Sequence, residues 1–392
     1  MYTNRKIMAV LVAFLLGLTL LSGCAPASEP AAPSEPAEPA EPAEPATPSE
    51  PSASTGPEVG IVLPTRDEPR WVQDETRFNE ALADSDYSVE ILFSQGSSSN
   101  ELQNVESLLT KGIKVLIICP HDGDAAAAAA DAARAEGVTV ISYDRLITGT
   151  ESVDYYVTFD SIAVGAAQGQ YLVDQAQGTD NPLYLYAGAA SDNNAFLFFE
   201  GAWSVLQPKV ADGTFRIINS SEAVNLQDKA ILTRDEMGRI INQVTTNWDF
   251  NEARNKAESH LTSAGAADKG DVYILAPNDG TARSIADTFA TDGDVTNFVV
   301  TGQDAEVASV QYIIDGRQSM TVFKDVRSLV KDSIDMALAV LDGQTPDTTG
   351  SYDNGVTDVP AKQTEVIVVD QDNVQAALID SGYYEASQFT GL

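Results

Sequence analysis

Seven stretches of this chain end an apolar run on residues that can do chemistry. They are VGIVLPTRDEPRW (59–71), VLIICPHDG (115–123), VISYDR (140–145), LYLYAGAASDNN (183–194), VYILAPNDG (272–280), VVTGQDAE (299–306) and MTVFKD (320–325). The sharpest is the third, where a β-branched run closes on an adjacent acid and base, Asp144 and Arg145. A carboxylate accepts hydrogen bonds on two oxygens, a guanidinium donates through a planar fork, and an amide does both. Gathered in one place, such groups could grip a ligand rich in hydroxyls, or supply two carboxylates for acid–base work. One such ending would be only the Asp, Asn and Gly of a helix cap or turn. Seven of them, two with charged pairs, ask for a shared purpose.

Other chemistries lack their residues. No G-x-G-x-x-G follows a strand, and there is no Walker A lysine motif and no G-x-S-x-G elbow, so nucleotide binding and triad hydrolysis are without their usual groups. The only histidines are His121 and His260 and the only cysteines Cys24 and Cys119, too few for a zinc, haem or iron–sulfur site. The formal charge of −35 makes nucleic acid or an anionic lipid surface a poor partner. A glycosidase needs two carboxylates, and Asp144, Asp192 and Asp304 could provide them. It also needs one carboxyl kept protonated, whereas Arg145 beside Asp144 favours the ionised form. A monosaccharide fits the set in another way: its hydroxyls both donate and accept, and aromatic rings cover its C–H faces. Trp71 and Trp248 lie beside polar residues, in PTRDEPRW and VTTNWDFNEARNKA.

Elements that could position these groups are legible. Strand-like runs stand at 59–63, 89–93, 115–119, 138–143, 155–159, 183–188, 215–218, 272–276, 298–302, 320–323 and 365–369. Several are continuous aliphatic runs, as in parallel strands covered on both faces. Helical patterns alternate with them, for example 100–112 and the Ala-rich 124–137, which stops at Gly137. The alternation predicts an α/β fold with parallel sheets, in which ligands bind beyond the carboxyl ends of strands. At 392 residues there is room for two domains. Cys119, inside an apolar run, reads as a small core residue.

Residues 1–23 read as a secretory leader: Arg5 and Lys6, an apolar run over 8–21, then LSGC. The run is shorter than the ~20 residues of a membrane-spanning helix. LSGC resembles a bacterial lipobox, which makes Cys24 the expected lipidated residue. The Ala-Glu-Pro repeats that follow, within 24–58, cannot form a core and favour an extended tether.

The segments PTRDEPRW, IICPHDG, VISYDRLI, SDNNAF, LAPNDG, VTGQDAE, VFKDVR, YDNGVTDVP and SGYYEASQ, in this order, resemble bacterial periplasmic sugar-binding proteins. The branch is that of xylose-binding and multiple-sugar-binding receptors, the type I solute receptors of ABC importers. The resemblance spans 59–392. It implies a type I periplasmic-binding-protein fold, with two doubly wound parallel-sheet lobes joined by a three-strand hinge around a ligand cleft. The lobes are expected at 59–159 plus 323–352 and at 160–322 plus 353–392. It implies sugar contacts at Arg70, Asp144, Arg145, Asp192, Asn194, Trp248, Asn278, Asp304 and Lys324, with Trp71 a second stacking surface and His121 and Asp122 weaker candidates. No cofactor, metal or catalysis is expected. The ligand is expected to be a monosaccharide such as xylose, glucose, galactose or arabinose, and the partner an ABC permease. The receptor is expected to be a monomer outside the cytoplasm, anchored through Cys24. A sugar sensor for a membrane kinase or chemoreceptor, and a secreted glycosidase lipoprotein, remain as alternatives. One departure from the family pattern is an extra segment at 219–247. There Thr233 and Glu236 fit a capping box, and Met237, Ile240, Ile241 and Val244 form one helical face.

Overall fold

The computed structural model describes residues 56–83 and 87–392. The expected leader, Cys24 and the tether up to residue 55 lie outside the described residues. The chain first runs through β1 (Val59–Leu63), α1 (Pro69–Leu82), β2 (Val89–Phe93), α2 (Ser98–Thr110), β3 (Val115–Ile118), α3 (Ala127–Ala135), β4 (Thr139–Tyr143) and β5 (Tyr155–Phe159). It continues as α4 (Ser161–Gln175), β6 (Asn181–Leu185), α5 (Asn193–Ala211), β7 (Phe215–Ile217), α6 (Ser221–Asn225), α7 (Arg234–Val244) and α8 (Phe250–Ser263). Then come β8 (Gly270–Leu275), α9 (Asp279–Ala290), β9 (Val295–Val300) and α10 (Val307–Ile314). It closes with β10 (Met320–Phe323), α11 (Val326–Leu341), β11 (Gly350–Asp353), β12 (Asp358–Thr364) and β13 (Ile367–Asp370).

The first sheet has the order β11-β12-β5-β4-β3-β1-β2 and is parallel except for β11. Its register sets Ile91, Ile61, Ile117 and Ile141 side by side across four strands. Alternate residues serve opposite faces, so continuous apolar strands bury both. Ile61, Ile117 and Tyr143 pack beneath α1 and α11, whereas Val62, Leu116 and Val140 pack beneath α2 and α3. A second parallel sheet, β7-β6-β8-β9, repeats the scheme. Leu183, Leu185 and Leu275 face α5 and α7, while Tyr184, Tyr186 and Ile274 face α8 and α9. Helices α4 and α5 cross with their backbones touching: a Cβ on Gly165 would lie 1.8 Å from the Phe198 carbonyl oxygen.

Three crossovers connect the two α/β halves. The chain leaves the first sheet after β5, returns to it from β10 into α11, and leaves again between β12 and β13, which pairs antiparallel with β10. This corrects the expected boundary at 352/353. Residues 358–364 form β12, hydrogen-bonded parallel to β5 inside the first sheet, so the last crossover follows Thr364. The reason is compositional. In DVPAKQT only Val359 and Ala361 are buried, alternating with exposed or half-exposed polar residues, so no apolar run announces the strand.

The extra segment folds as expected from its sequence. Thr233 and Glu236 make both bonds of a capping box, and Met237, Ile240, Ile241 and Val244 are the buried residues of α7. They pack on Phe196, Phe199 and Trp203 of α5. Among the described residues, no helix is long and apolar enough to cross a membrane.

Candidate functional site

The polar strand endings converge. Arg70 and Trp71 occupy the first turn of α1, opened by Pro69. Asp144 and Arg145 follow β4; Asp192 caps α5, and Asn194 lies in its first turn. Trp248 precedes the Asp249 cap of α8, Asn278 caps α9 after β8, Asp304 follows β9, and Lys324 follows β10. All ten line a single narrow cavity between the carboxyl ends of the two parallel sheets, together with Glu68, Phe198 and Gln303.

The helix-cap reading holds for two of these residues, since Asp192 and Asn278 each cap a helix while lining the cavity. One oxygen of Asp192 accepts the Asn194 N–H at 2.9 Å, and the other faces Arg145 Nε at 3.0 Å. Asn278 spends its oxygen on Thr281, whose hydroxyl donates at 2.5 Å, which leaves its amide nitrogen as a donor. His121 and Asp122 are not brought to the cavity. Asp122 accepts the N–H groups of Asp124 and Ala125 at 3.1 and 2.9 Å, and the His121 backbone donates to Glu101 at 2.8 Å. Neither is among the residues lining the cavity, and the Asp122 carboxylate closes the loop before α3.

Asp144 and Arg145, neighbours in sequence, do not pair. Asp144 has φ +59°, a left-handed backbone that turns the two side chains to different partners. Its carboxylate accepts from Arg70 Nη2 at 2.9 Å and from Asn194 Nδ2 at 3.4 Å. Arg145 reaches Asp192 at 3.0 Å and Glu68 at 3.3 Å, with its guanidinium carbon 4.9 Å from the Trp71 ring centre. Arg70 is the hub. It binds Asp74 at 2.6 Å and reaches Asp304 at 3.3 Å, and Asp304 also holds Lys324 at 2.7 Å. Tyr143 braces Asp74 from behind at 2.5 Å.

Three cations therefore face four carboxylates in the lining. Burial would lower the Arg70 pKa, but Asp74, Asp144 and Asp304 outweigh it and hold the guanidinium charged. Burial would raise Asp144, but Arg70, Lys324 and Arg145 hold its carboxyl below the usual range. For Asp192 and Glu68 burial prevails over the pull of Arg145 and pushes the carboxyls up. So nearly balanced a set favours a neutral ligand with many hydroxyls over an ion, since an added charge would meet opposition on one side or the other.

Backbone strain gathers here too. Asp144, Trp248 and Asp304 have φ of +59°, +61° and +97°. Such conformations cost of order 1–3 kcal/mol each outside glycine and mark functional sites. Trp248 is held by its surroundings. Thr246 and Thr245 bond to the carbonyls of Ala187 and Gly188 at 2.8 and 2.7 Å, and Phe198 packs edge-on at 6.4 Å. The indole lies on Gly188, where a Cβ would come within 2.0 Å of the ring. Helix α7 sits on the far face of α5, so the extra segment does not displace Trp248. Among the described residues, the indole N–H of Trp248 and the Gln303 amide oxygen are buried at the cavity without a hydrogen-bond partner, while the Trp71 indole is directed at the Glu68 carboxylate.

Three lining residues escaped the sequence reading. Glu68 and Gln303 lie inside PTRDEPRW and GQDAE, one or two positions from residues singled out there. Phe198 stands four residues after Asn194 on α5, which places both on one helical face.

Comparison with known proteins agrees with this architecture. The chain is 35% identical over 341 residues to the multiple sugar-binding periplasmic receptor ChvE of Rhizobium radiobacter, covering 84% of this chain and 91% of that one. A solved carbohydrate transporter solute-binding protein of Chloroflexus aurantiacus, in complex with D-glucose, is 75% identical with a TM-score of 0.85, covering 86% and 98% of the two chains. An ABC transporter solute-binding protein of Clostridium phytofermentans with bound β-D-glucose is 32% identical with a TM-score of 0.74, covering 84% and 99%. The periplasmic binding protein domain matches residues 59–345, and the chain belongs to that family.

Proposed function

We propose that this chain is an extracytoplasmic receptor that closes around a free monosaccharide and delivers it to the permease of an ABC transporter. The observation that carries the reading is the convergence of four carboxylates, three cations, two amide side chains on helix caps or first turns, and two indoles on one buried cavity. D-glucose is the first candidate ligand, because similar solved proteins hold it. Xylose, galactose and arabinose follow. Trp71 and Trp248 would cover the C–H faces of the ring. Asp144, Asp192 and Asp304 would accept from its hydroxyls, and Arg70, Arg145, Asn278 and Lys324 would donate to them.

In this reading the lobes are 59–159 with 324–364, and 160–323 with 365–392, and they hinge at the three crossovers. The sugar stabilises the closed arrangement and leaves chemically unchanged. The leader is cut before Cys24, the cysteine carries lipid, the tether spaces the receptor from the membrane, and the receptor acts as a monomer. Calorimetric titration of residues 54–392, the compact unit that holds the cavity, tests the proposal. D-glucose, xylose, galactose, arabinose and ribose are titrated in turn. One-to-one binding of one or two of them, with the sugar recovered intact, is expected. Absence of binding to all five, or turnover of the sugar, would overturn it.

A further inference from the structure

The C-terminal segment does work that the sugar-facing residues do not account for. Tyr384 is buried and does not line the cavity, yet its hydroxyl stands between the two halves of the site. It accepts from Gln73 Nε2 at 3.0 Å and donates to the Ala305 carbonyl at 2.8 Å. Gln73 lies three residues beyond Arg70 on α1, and Ala305 directly follows Asp304. Those two flanking residues meet across the cavity, with Arg70 Nη1 3.3 Å from Asp304 Oδ1.

The Asp304–Ala305 turn needs holding. Both residues are left-handed, with φ +97° and +48°, and neither is glycine. Within its own half the turn is tied by Asp304 N–H to the Val322 carbonyl at 2.9 Å and by Ala305 N–H to the Thr321 hydroxyl at 3.1 Å. The Ala305 carbonyl is tied by Tyr384, whose hydroxyl is also bonded to α1 of the other half. The neighbouring residue reinforces the link. Arg77 of α1 donates to the Tyr383 carbonyl at 3.2 Å, and the Tyr383 ring lies between Arg77 and Arg327, 5.3 and 4.9 Å from its centre.

We infer that Tyr384 is a positioning residue for ligand binding: its hydroxyl locks the Asp304–Ala305 turn to helix α1 and so holds the Asp304 carboxylate in place while the lobes are closed. The inference rests on the receptor reading above. Opening the cleft separates α1 from the turn and must break the Gln73–Tyr384 bond. The lock therefore acts on escape of the ligand rather than on its capture.

Stopped-flow tryptophan fluorescence with D-glucose on the full-length chain tests this. Tyr384→Phe keeps the ring and removes only the hydroxyl, leaving a buried carbonyl unpaired. The dissociation rate should rise about five- to thirtyfold, with the association rate within about twofold of the parent. Gln73→Leu breaks the other end of the link. It should raise the dissociation rate too, and the double variant should add less than the two single effects combined. Tyr184→Phe is the control, because its hydroxyl is likewise bonded to a backbone carbonyl, that of Asp268 at 2.9 Å, within one half and away from the cavity. It should leave the dissociation rate within about twofold. A Tyr384→Phe rate equal to the parent's, or equal rises in Tyr384→Phe and Tyr184→Phe, would overturn the inference while leaving the receptor reading standing. A parent chain that binds none of the sugars in the calorimetric series would bring down both.

Discussion

Replacing Asp144 by Asn separates a ligand-gripping carboxylate from a merely structural one. The residue is 4% exposed, so the replacement must fit a buried space, and the two are nearly the same shape. Its backbone has φ +59°, a conformation Asn tolerates far better than Ala. Asp144→Ala would add backbone strain to the loss of the carboxylate and so mix two effects. In the Asn variant Arg70 keeps Asp74 at 2.6 Å and Asp304 at 3.3 Å, so its guanidinium is not stranded. The Asn amide sets its NH2 against a donor of Arg70 or Asn194, so folding should weaken by about 1–3 kcal/mol. For a bound sugar the change is from a charge-assisted bond, ~1.5–3 kcal/mol, to a neutral one, ~0.5–1.5 kcal/mol. The difference of about 1.4 kcal/mol corresponds to a roughly tenfold weaker affinity. Calorimetric titration of parent and variant with the sugar that binds best measures it, with thermal unfolding of the sugar-free proteins alongside. An affinity within twofold of the parent, in a variant that is folded, would refute the assignment and leave Asp144 as a partner of Arg70 only.

Other expectations follow from single contacts. In Gly188→Ala the new methyl would meet the Trp248 ring at 2.0 Å, and the strained Trp248 backbone cannot give way cheaply. Titration should show at least a tenfold loss of affinity, with a shift in tryptophan emission. Ile240 is fully buried between α7 and α5, so Ile240→Ala should lower stability by about 2–5 kcal/mol in urea unfolding yet leave sugar affinity unchanged. A changed affinity would mean that α7 shapes the site. Burial pushes the Glu306 carboxyl up to about 7, against the pull of Arg283 2.7 Å away and with the push of Asp304. The neutral acid then favours the folded state. Its contribution is complete below pH ~4.5 and is lost as pH rises through about 7. Glu306→Gln should flatten that decline, gaining stability relative to the parent between pH 5 and 8. An unchanged pH profile would show that Glu306 ionises normally.

Much was legible because it is local. Continuous aliphatic runs between helical patterns announce parallel strands buried on both faces, since every residue of such a strand meets a core. The capping box at Thr233 and the stripe of Met237, Ile240, Ile241 and Val244 need only helical geometry, and both are present in α7. Polar residues closing one strand after another pointed to a shared site, the resemblance to sugar-binding receptors named ten side chains for it, and all ten line one cavity. Parallel strands bring their carboxyl ends to the same edge, so a repeated local pattern becomes one place.

Partners were decided by the tertiary structure. Nothing in YDR says that Arg145 turns to Asp192 and Glu68 while Asp144 turns to Arg70. That follows from a left-handed residue and from helix termini that bring in partners 47 to 77 positions away along the chain. His121 and Asp122 look like Asp192 and Asn278 in sequence. Asp122 turns both accepted N–H groups into a loop closure instead, and neither residue lies in the cavity lining. The strand at 358–364 has almost no apolar signal, since it needs only Val359 and Ala361 to fasten to a sheet already built. Sequence alone thus determined which surfaces must be buried and where strands hand over to polar residues, because burial and turn formation are properties of short segments. Only the folded chain decided which carboxylate meets which cation, because a charge pairs by distance through space and not by separation along the chain.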